Sequence, residues 1–169
     1  MAQSESGVNP EELRLAMRHW ATGVTVVSAH HGSVQHGMTV SSFTSVSLSP
    51  PLVLVSLEKG ARTHALVQQS GAFAVCVLRS DQQWISDRFA GRLTDDDDRY
   101  AGLETFTLQS KAPLLAGCMA GFDCQLVASY EAGTHTVFIG RVVATYMGEE
   151  TSPLLYFNRD YHTLNQLGT

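Results

Sequence analysis

The sequence predicts a mainly β protein, a single antiparallel barrel of Greek-key-like order with a few short helices covering its openings. Three observations carry this. Strand-like runs are many and short, each bounded by glycine, proline or polar turn residues. Helical patterns are few and short, too sparse to supply the crossovers of a parallel sheet. The chain has 169 residues, 44% of them hydrophobic and 16% charged, which suits one globular domain with a sizeable core.

The elements follow in order. The first residues are polar, and residues 1–10 are expected to be a flexible lead-in to a domain over 11–165. A helix starts at their end, with Asn9 as cap, Pro10 at the first position and Glu11 and Glu12 at the positive pole. Leu13, Ala16, Met17 and Trp20 recur at helical spacing and offer one face to bury, and Gly23 stops the helix. Val24 to Ala29 is β-branched and apolar, followed by a hairpin turn at His30-His31-Gly32-Ser33. Phe43 to Leu48 alternates hydroxyl and apolar residues, Pro50-Pro51 breaks the run, and Leu52 to Leu57 is a further strand. More strands are expected at Ala72–Leu78, Phe122–Tyr130, His135–Tyr146 and Leu154–Phe157, with short helices at Thr63–Gln69 and Asp81–Phe89. Asp95-Asp96-Asp97-Asp98 is mutually repulsive and belongs in a solvated loop; it lacks the glycine and glutamate of an EF-hand calcium loop.

Composition excludes several roles. A net charge of −5 is wrong for non-specific nucleic-acid binding. No apolar run is long enough to span a membrane and no signal-like segment opens the chain, so the expected location is the cytoplasm. Cys76, Cys118 and Cys124 form no CxxC pair, and Cys76 lies in an apolar run as a small buried hydrophobe. The histidines His30, His31 and His36 cluster near one turn, but no carboxylate or cysteine completes a metal set, and no metal is expected. Trp20, Trp84 and the cluster Tyr156, Phe157 and Tyr161 read as core or interface residues. The chain also lacks G-x-G-x-x-G, G-x-x-x-x-G-K-[ST], G-x-S-x-G and H-E-x-x-H. A nucleotide site, if there is one, is neither a Rossmann domain nor a P-loop.

Two segments carry binding chemistry. His36-Gly37-Met38-Thr39-Val40-Ser41-Ser42-Phe43 places three hydroxyls in four positions beside a glycine. Hydroxyls and adjacent amides can cradle a phosphate or the edge of a flavin ring, and the glycine allows close approach; the alternative is a polar-faced strand. Glu58-Lys59-Gly60-Ala61-Arg62-Thr63-His64 sets two cations and a hydroxyl just ahead of a helix, a natural anion site or else a charged surface loop. Together they could clamp one phosphate.

These blocks, with Ala21-Thr22-Gly23-Val24-Thr25-Val26-Val27 and Ser45 to Leu57, resemble the flavin reductase family, the small reductase components of two-component flavin monooxygenases. The resemblance continues in order through Arg88-Phe89-Ala90-Gly91, Ala132 to Val142 and Pro153 to Phe157, as far as Tyr161-His162. It implies an FMN-binding split β-barrel over residues 11–165, holding FMN or FAD, usually as a homodimer with flavin near the subunit interface. It also implies hydride transfer from NADH or NADPH to the flavin, with the reduced flavin passed to a separate monooxygenase. Position by position, Thr39, Val40, Ser41, Ser42 and Phe43 would line the flavin, with Ser45 and Val46 nearby. Lys59, Ala61, Arg62 and Thr63 would hold its phosphate side, and Phe89 and Gly91 would add further contacts. His135, Tyr161 and His162 match positions near the nicotinamide, and His135 is a possible catalytic residue. Some relatives carry Asn where this chain has Ser41, which reaches less far. The alternatives are another flavin-dependent oxidase on the same barrel, or a non-catalytic flavin- or haem-binding module.

Overall fold

A computed structural model describes residues 7–91 and 98–164 of the chain. Among the described residues twelve strands are present: β1 (Thr22–Gly23), β2 (Thr25–His31), β3 (Val34–Val40), β4 (Thr44–Leu48), β5 (Pro51–Glu58), β6 (Ala72–Val77), β7 (Thr105–Thr107), β8 (Pro113–Leu115), β9 (Ala120–Ala132), β10 (His135–Met147), β11 (Leu155–Phe157) and β12 (Asp160–His162). The helices are α1 (Pro10–Met17), α2 (Arg62–Ser70) and α3 (Gln83–Phe89). Most strands lie where the sequence places them. The start of the expected Asp81–Phe89 helix is instead a single 3₁₀ turn, Ser80–Gln82, leading into α3. The segment after the first hairpin turn is a regular strand, β3, along which the hydroxyl-rich stretch begins.

Seven strands form one antiparallel sheet in the order β3-β2-β6-β9-β10-β5-β4. Its two edge strands, β3 and β4, are consecutive in sequence and separated only by Ser41, Ser42 and Phe43. So short a link forces the sheet to curl until its edges meet, and the result is a split barrel. Ser42 bridges the split: its Oγ donates to the Ser56 carbonyl at 2.9 Å and accepts from the Ser56 amide at 3.0 Å, standing in for a ladder partner on β5.

The central strands β2 and β6 are buried on both faces, which is why they read as unbroken apolar runs. Val27, Val75, Phe73 and Phe138 point into one core with α2, whereas Val26, Cys76, Leu78 and Phe89 point into a second beneath α3. Each large side chain so buried contributes roughly 1.5–3 kcal/mol of transfer free energy. At Gly140 on β10 a Cβ would stand 2.8 Å from Phe73 Cε1 and 2.9 Å from Cys124 Cβ, so the tight core there requires glycine. All three cysteines are free and buried, and burial beside Asp123 pushes the Cys124 thiol up to about 12.

Two expectations need correction. Asn9 caps α1 as predicted, accepting from the Glu11 and Glu12 amides at 2.9 Å each, yet the helix buries no residue. Leu13, Met17 and Trp20 are 57%, 54% and 66% exposed, because α1 lies outside the barrel instead of over a core. The helix also ends before Gly23, which pairs with Leu155 in β1. Trp84 is exposed too, so neither tryptophan is a core residue. Residues 1–6 of the expected flexible lead-in and Asp95 to Asp97 of the acidic run lie outside the described residues. Among the described residues no helix is long and apolar enough to cross a membrane, and no group of three metal-ligating side chains is assembled.

Candidate functional site at the barrel split

The seam where β3 leaves the sheet is flanked by the start of α2 on one side and by α3 on the other. Thr39, at the end of β3, donates to the Ser86 carbonyl of α3 at 2.7 Å, which fixes its rotamer. The Ser86 hydroxyl lies 2.8 Å from the Tyr161 hydroxyl, and Tyr161 in turn donates to Asp87 Oδ1 at 3.0 Å. Thr39, Ser86 and Tyr161, with Val24, Val40, Ser41, Ala90 and Tyr156, line a slot of about 200 Å³. Its walls are aliphatic and aromatic, with hydroxyls at fixed points and no cation. A flat ring with polar edges suits such a slot.

A second cavity, of about 440 Å³, adjoins the first and shares Thr39 and Ala90 with it. It is lined by His36 and Met38 of β3, Gly60 and Ala61 before α2, Arg62 at its first position, Phe89 of α3, and Arg99. Arg99 donates to the Gly37 carbonyl at 2.9 Å and the Phe89 carbonyl at 3.0 Å, so it ties β3 to the end of α3. Ala61 occupies the N-cap of α2 and offers no side-chain bond to the first-turn amides. Orphan amides with two guanidinium groups beside them are chemically suited to an anion. The cation pair stands out on a chain whose net charge is −5.

Gly37 serves this geometry differently from the sequence expectation. A Cβ there would stand 2.7 Å from both Phe89 Cε1 and the Tyr100 hydroxyl. The close approach the glycine allows is thus by the protein's own aromatic pair, Phe89 and Tyr100, whose rings meet edge-to-face at 5.1 Å. Gly91 follows α3 with φ of +73°, and its hydrogen faces Arg99.

Of the residues singled out from the sequence, Thr39, Val40, Ser41 and Tyr161 line the slot, and Ala61, Arg62 and Phe89 line the anion cavity. Thr63 is buried behind it, with its hydroxyl 2.8 Å from His36 Nδ1. Ser42 closes the split, and Phe43 packs on Phe122 with ring centres 5.2 Å apart. Lys59 points elsewhere, forming a 2.9 Å ion pair with Glu131 that holds the Glu131 carboxyl below its ordinary range. Ser45 and Val46 lie exposed on the edge strand β4. His135 opens β10 opposite Glu58, exposed, with Nδ1 2.9 Å from Thr134 Oγ1. His162 is exposed on β12, its ring 6.0 Å from that of Phe157. In one protomer these last four stand away from the groove's lining. Sequence reasoning missed Arg99, Ser86 and Ala90, and left Tyr156 as core or interface. Arg99 did leave a signal, a cation directly after four carboxylates in a segment read only as solvated loop.

Comparison with known proteins fits this geometry. The sequence model of the family described as flavin reductase like domain matches residues 17–165. The NADH-dependent flavin reductase StyB of Pseudomonas fluorescens is 42% identical over 153 residues, 88% of this chain and 86% of that one. The reductase component of 4-hydroxyphenylacetate 3-monooxygenase from Thermus thermophilus is 35% identical over 154 residues, 91% of this chain and 96% of that one. Among solved structures, the NADH:FAD oxidoreductase SgcE6 of Streptomyces globisporus C-1027, in complex with NAD and FAD fragments, superimposes with a TM-score of 0.85. It is 34% identical, covering 95% of this chain and 98% of that one.

Proposed function

The chain belongs to the flavin reductase-like family, and on that premise we propose that the groove at the barrel split binds a flavin, with its ring in the hydroxyl-lined slot and its phosphate between Arg62 and Arg99. The protein is an NAD(P)H-dependent flavin reductase. One observation carries this reading: a cation-free slot for a flat ring and a two-arginine cavity are neighbours that share Thr39 and Ala90 in their linings. The combined shape and charge match a ring with an anionic tail, and the uncapped start of α2 adds amide donors at the anionic end.

When bound, the flavin supplies an electron-accepting ring to which a reduced nicotinamide delivers hydride, chemistry intrinsic to the two cofactors. The chain's part is to bind and orient. Thr39, locked by Ser86, presents its methyl and hydroxyl at a fixed point of the slot. Tyr161, held between Ser86 and Asp87, forms a rigid wall. Holding two rings face to face makes the transfer effectively unimolecular, so no general acid or base is needed. Of the more distant residues, we assign His135 and His162 to the nicotinamide side and Ser45, Val46 and Lys59 to the flavin's surroundings in a homodimer.

The domain spans residues 11–165, and the reduced flavin goes to a separate flavin-dependent monooxygenase, as the Thermus relative's name implies for that protein. Three buried free thiols suit a reducing compartment, and we place the enzyme in the cytoplasm. Steady-state oxidation of NADH and of NADPH with FMN, FAD or riboflavin tests the reading. Flavin-dependent oxidation with at least one pairing is expected, and its absence with all of them would overturn the assignment.

A further inference from the structure

The two-arginine cavity has a third basic group in its wall. His36 of β3 lines it together with Arg62 and Arg99, and it is half-buried where Val34 and Gln35 before it are exposed. The orientation of its ring is set from α2. His36 Nδ1 lies 2.8 Å from the hydroxyl of Thr63, the second residue of that helix, which is fully buried. A hydroxyl both donates and accepts, so this contact serves the neutral imidazole and the imidazolium alike. The carbonyl of the next residue, Gly37, accepts from Arg99 Nη1 at 2.9 Å, which fastens one guanidinium group to the same stretch of β3.

The charges brought to this wall by the described residues have one sign. β2 sets Ala29 opposite His36, α3 contributes Phe89, α2 contributes Arg62, and the segment after α3 contributes Arg99. Lys59 is turned to Glu131, and His64 of α2 is turned to Thr136 on β10. Among the described residues lining the cavity there is no carboxylate. An imidazolium in the empty cavity therefore meets two guanidinium charges, and like charges repel. A phosphate reverses that balance, because it offsets the two cations and attracts a third. Imidazole is the side chain that changes charge between pH 5 and 8, so phosphate entry and protonation of the ring favour one another.

We propose that His36 is a specificity-determining residue of the flavin site: oriented by Thr63, it takes up a proton as the phosphate enters and joins Arg62 and Arg99 around it. The proton comes from the solvent, and the gain falls only on a flavin that carries a phosphate. The cavity thereby selects phosphorylated flavin over riboflavin, and does so more strongly as the pH falls toward neutrality. The assignment rests on the flavin reading above, and its test is a binding measurement that needs no turnover.

FMN and riboflavin are titrated into the full-length protein by calorimetry at pH 7.5, in buffers of different ionisation enthalpy, and by flavin fluorescence at pH 6.5 and above. A free phosphate monoester, with its second pKa near about 6, is almost fully dianionic at pH 7.5, so a proton taken up there goes to the protein. The native protein is expected to take up a fraction of a proton with FMN and none with riboflavin. His36→Gln keeps a partner for Thr63 but does not titrate. It should take up no proton, bind FMN about fivefold more weakly at pH 6.5 and bind riboflavin within about twofold of the native chain. His36→Lys supplies a permanent cation, and should hold FMN within about twofold of the native affinity at pH 6.5 without proton uptake. Equal FMN affinity and equal proton uptake in native and His36→Gln protein would overturn the proposal, as would the same uptake with riboflavin as with FMN. Either result leaves the flavin reading standing, because FMN still binds. No FMN binding by the native protein would overturn that reading, and this assignment with it.

Discussion

At the scale of single residues, the site depends on a few side chains whose partners fix what each can do. Arg62 is exposed in the anion cavity, so its contribution falls on whichever ligand carries a phosphate. A charge-assisted hydrogen bond is worth about 1.5–3 kcal/mol, or roughly 10- to 100-fold in affinity. Arg62→Ala is therefore expected to weaken FMN by about that factor and riboflavin, which has no phosphate, by under about threefold. Flavin fluorescence titration measures both, and equal losses would show that Arg62 does not face the phosphate. Gly37 makes a different prediction. The added methyl of Gly37→Ala would collide with Phe89 and Tyr100, two buried rings with little room to yield. Overpacking of this kind costs about 1–3 kcal/mol, which thermal unfolding would register as a clear fall in Tm. The FMN affinity of whatever folds should fall as well, since Phe89 lines the anion cavity. Unchanged stability would mean that β3 and α3 separate more easily than the close contact suggests.

At the scale of elements, the helices stand against the barrel through specific polar ties, and one of them responds to pH. His64 of α2 is buried, with Nε2 2.8 Å from Thr136 Oγ1 on β10. Burial lowers its pKa below the ordinary value of 6.5, the charge of Lys59 lowers it further, and Glu131 opposes. In the pH range between that lowered value and 6.5 the unfolded chain binds the proton and the folded chain does not, so stability rises with pH there. Acidifying from pH 7 through 6.5 should thus weaken the fold progressively, until the folded His64 also protonates. His64→Gln keeps a donor for Thr136 and removes this titration. Its Tm should fall less than that of the native chain over the same range, and parallel falls would exclude His64 as the cause. The same elements show what was legible in the sequence. β2, β6 and β5 were plain because a strand buried on both faces, or alternating strictly, prints its burial in its residues. The role of α1 was not: its apolar spacing specifies a face but not what covers it. For the site, Thr39, Ser41 and Arg62 announced themselves as hydroxyls and a cation at element ends, which is local information. Arg99, Ser86 and Tyr156 did not, because they enter only when α3, the segment following it and β11 fold back on β3.

At the scale of the whole molecule, the sheet has two edge strands, and whereas α2 and α3 pack against β3, β4 is the barer of the two. Among the described residues β4 pairs only with β5 in the sheet order, which leaves its other side as a sheet edge. Leu48 on this edge is 90% exposed and Val46 46%, while Val127 and Tyr130 on β9 and Met147 on β10 are 45%, 60% and 79% exposed. Natural sheets protect such an edge with charge, proline or a covering partner, and a protruding leucine is neither of the first two. We take a second copy of the chain as the cover. A two-fold pairing across β4 would also bring Ser45 and Val46, which are exposed and outside the groove's lining within one protomer, next to the groove of the other. Leu48→Asp places a charge at the centre of that contact without touching the core. Sedimentation velocity at micromolar concentration should find a dimer for the native chain and a shift toward monomer for the variant, with the Tm of the monomer little changed. FMN affinity should fall together with the dimer, because each groove would lose the wall supplied by its neighbour. A native chain that sediments as a monomer at all concentrations would remove the dimer, and with it the flavin-side role of Ser45 and Val46; a variant monomer that binds FMN as tightly as the native dimer would show that each groove is complete within one protomer.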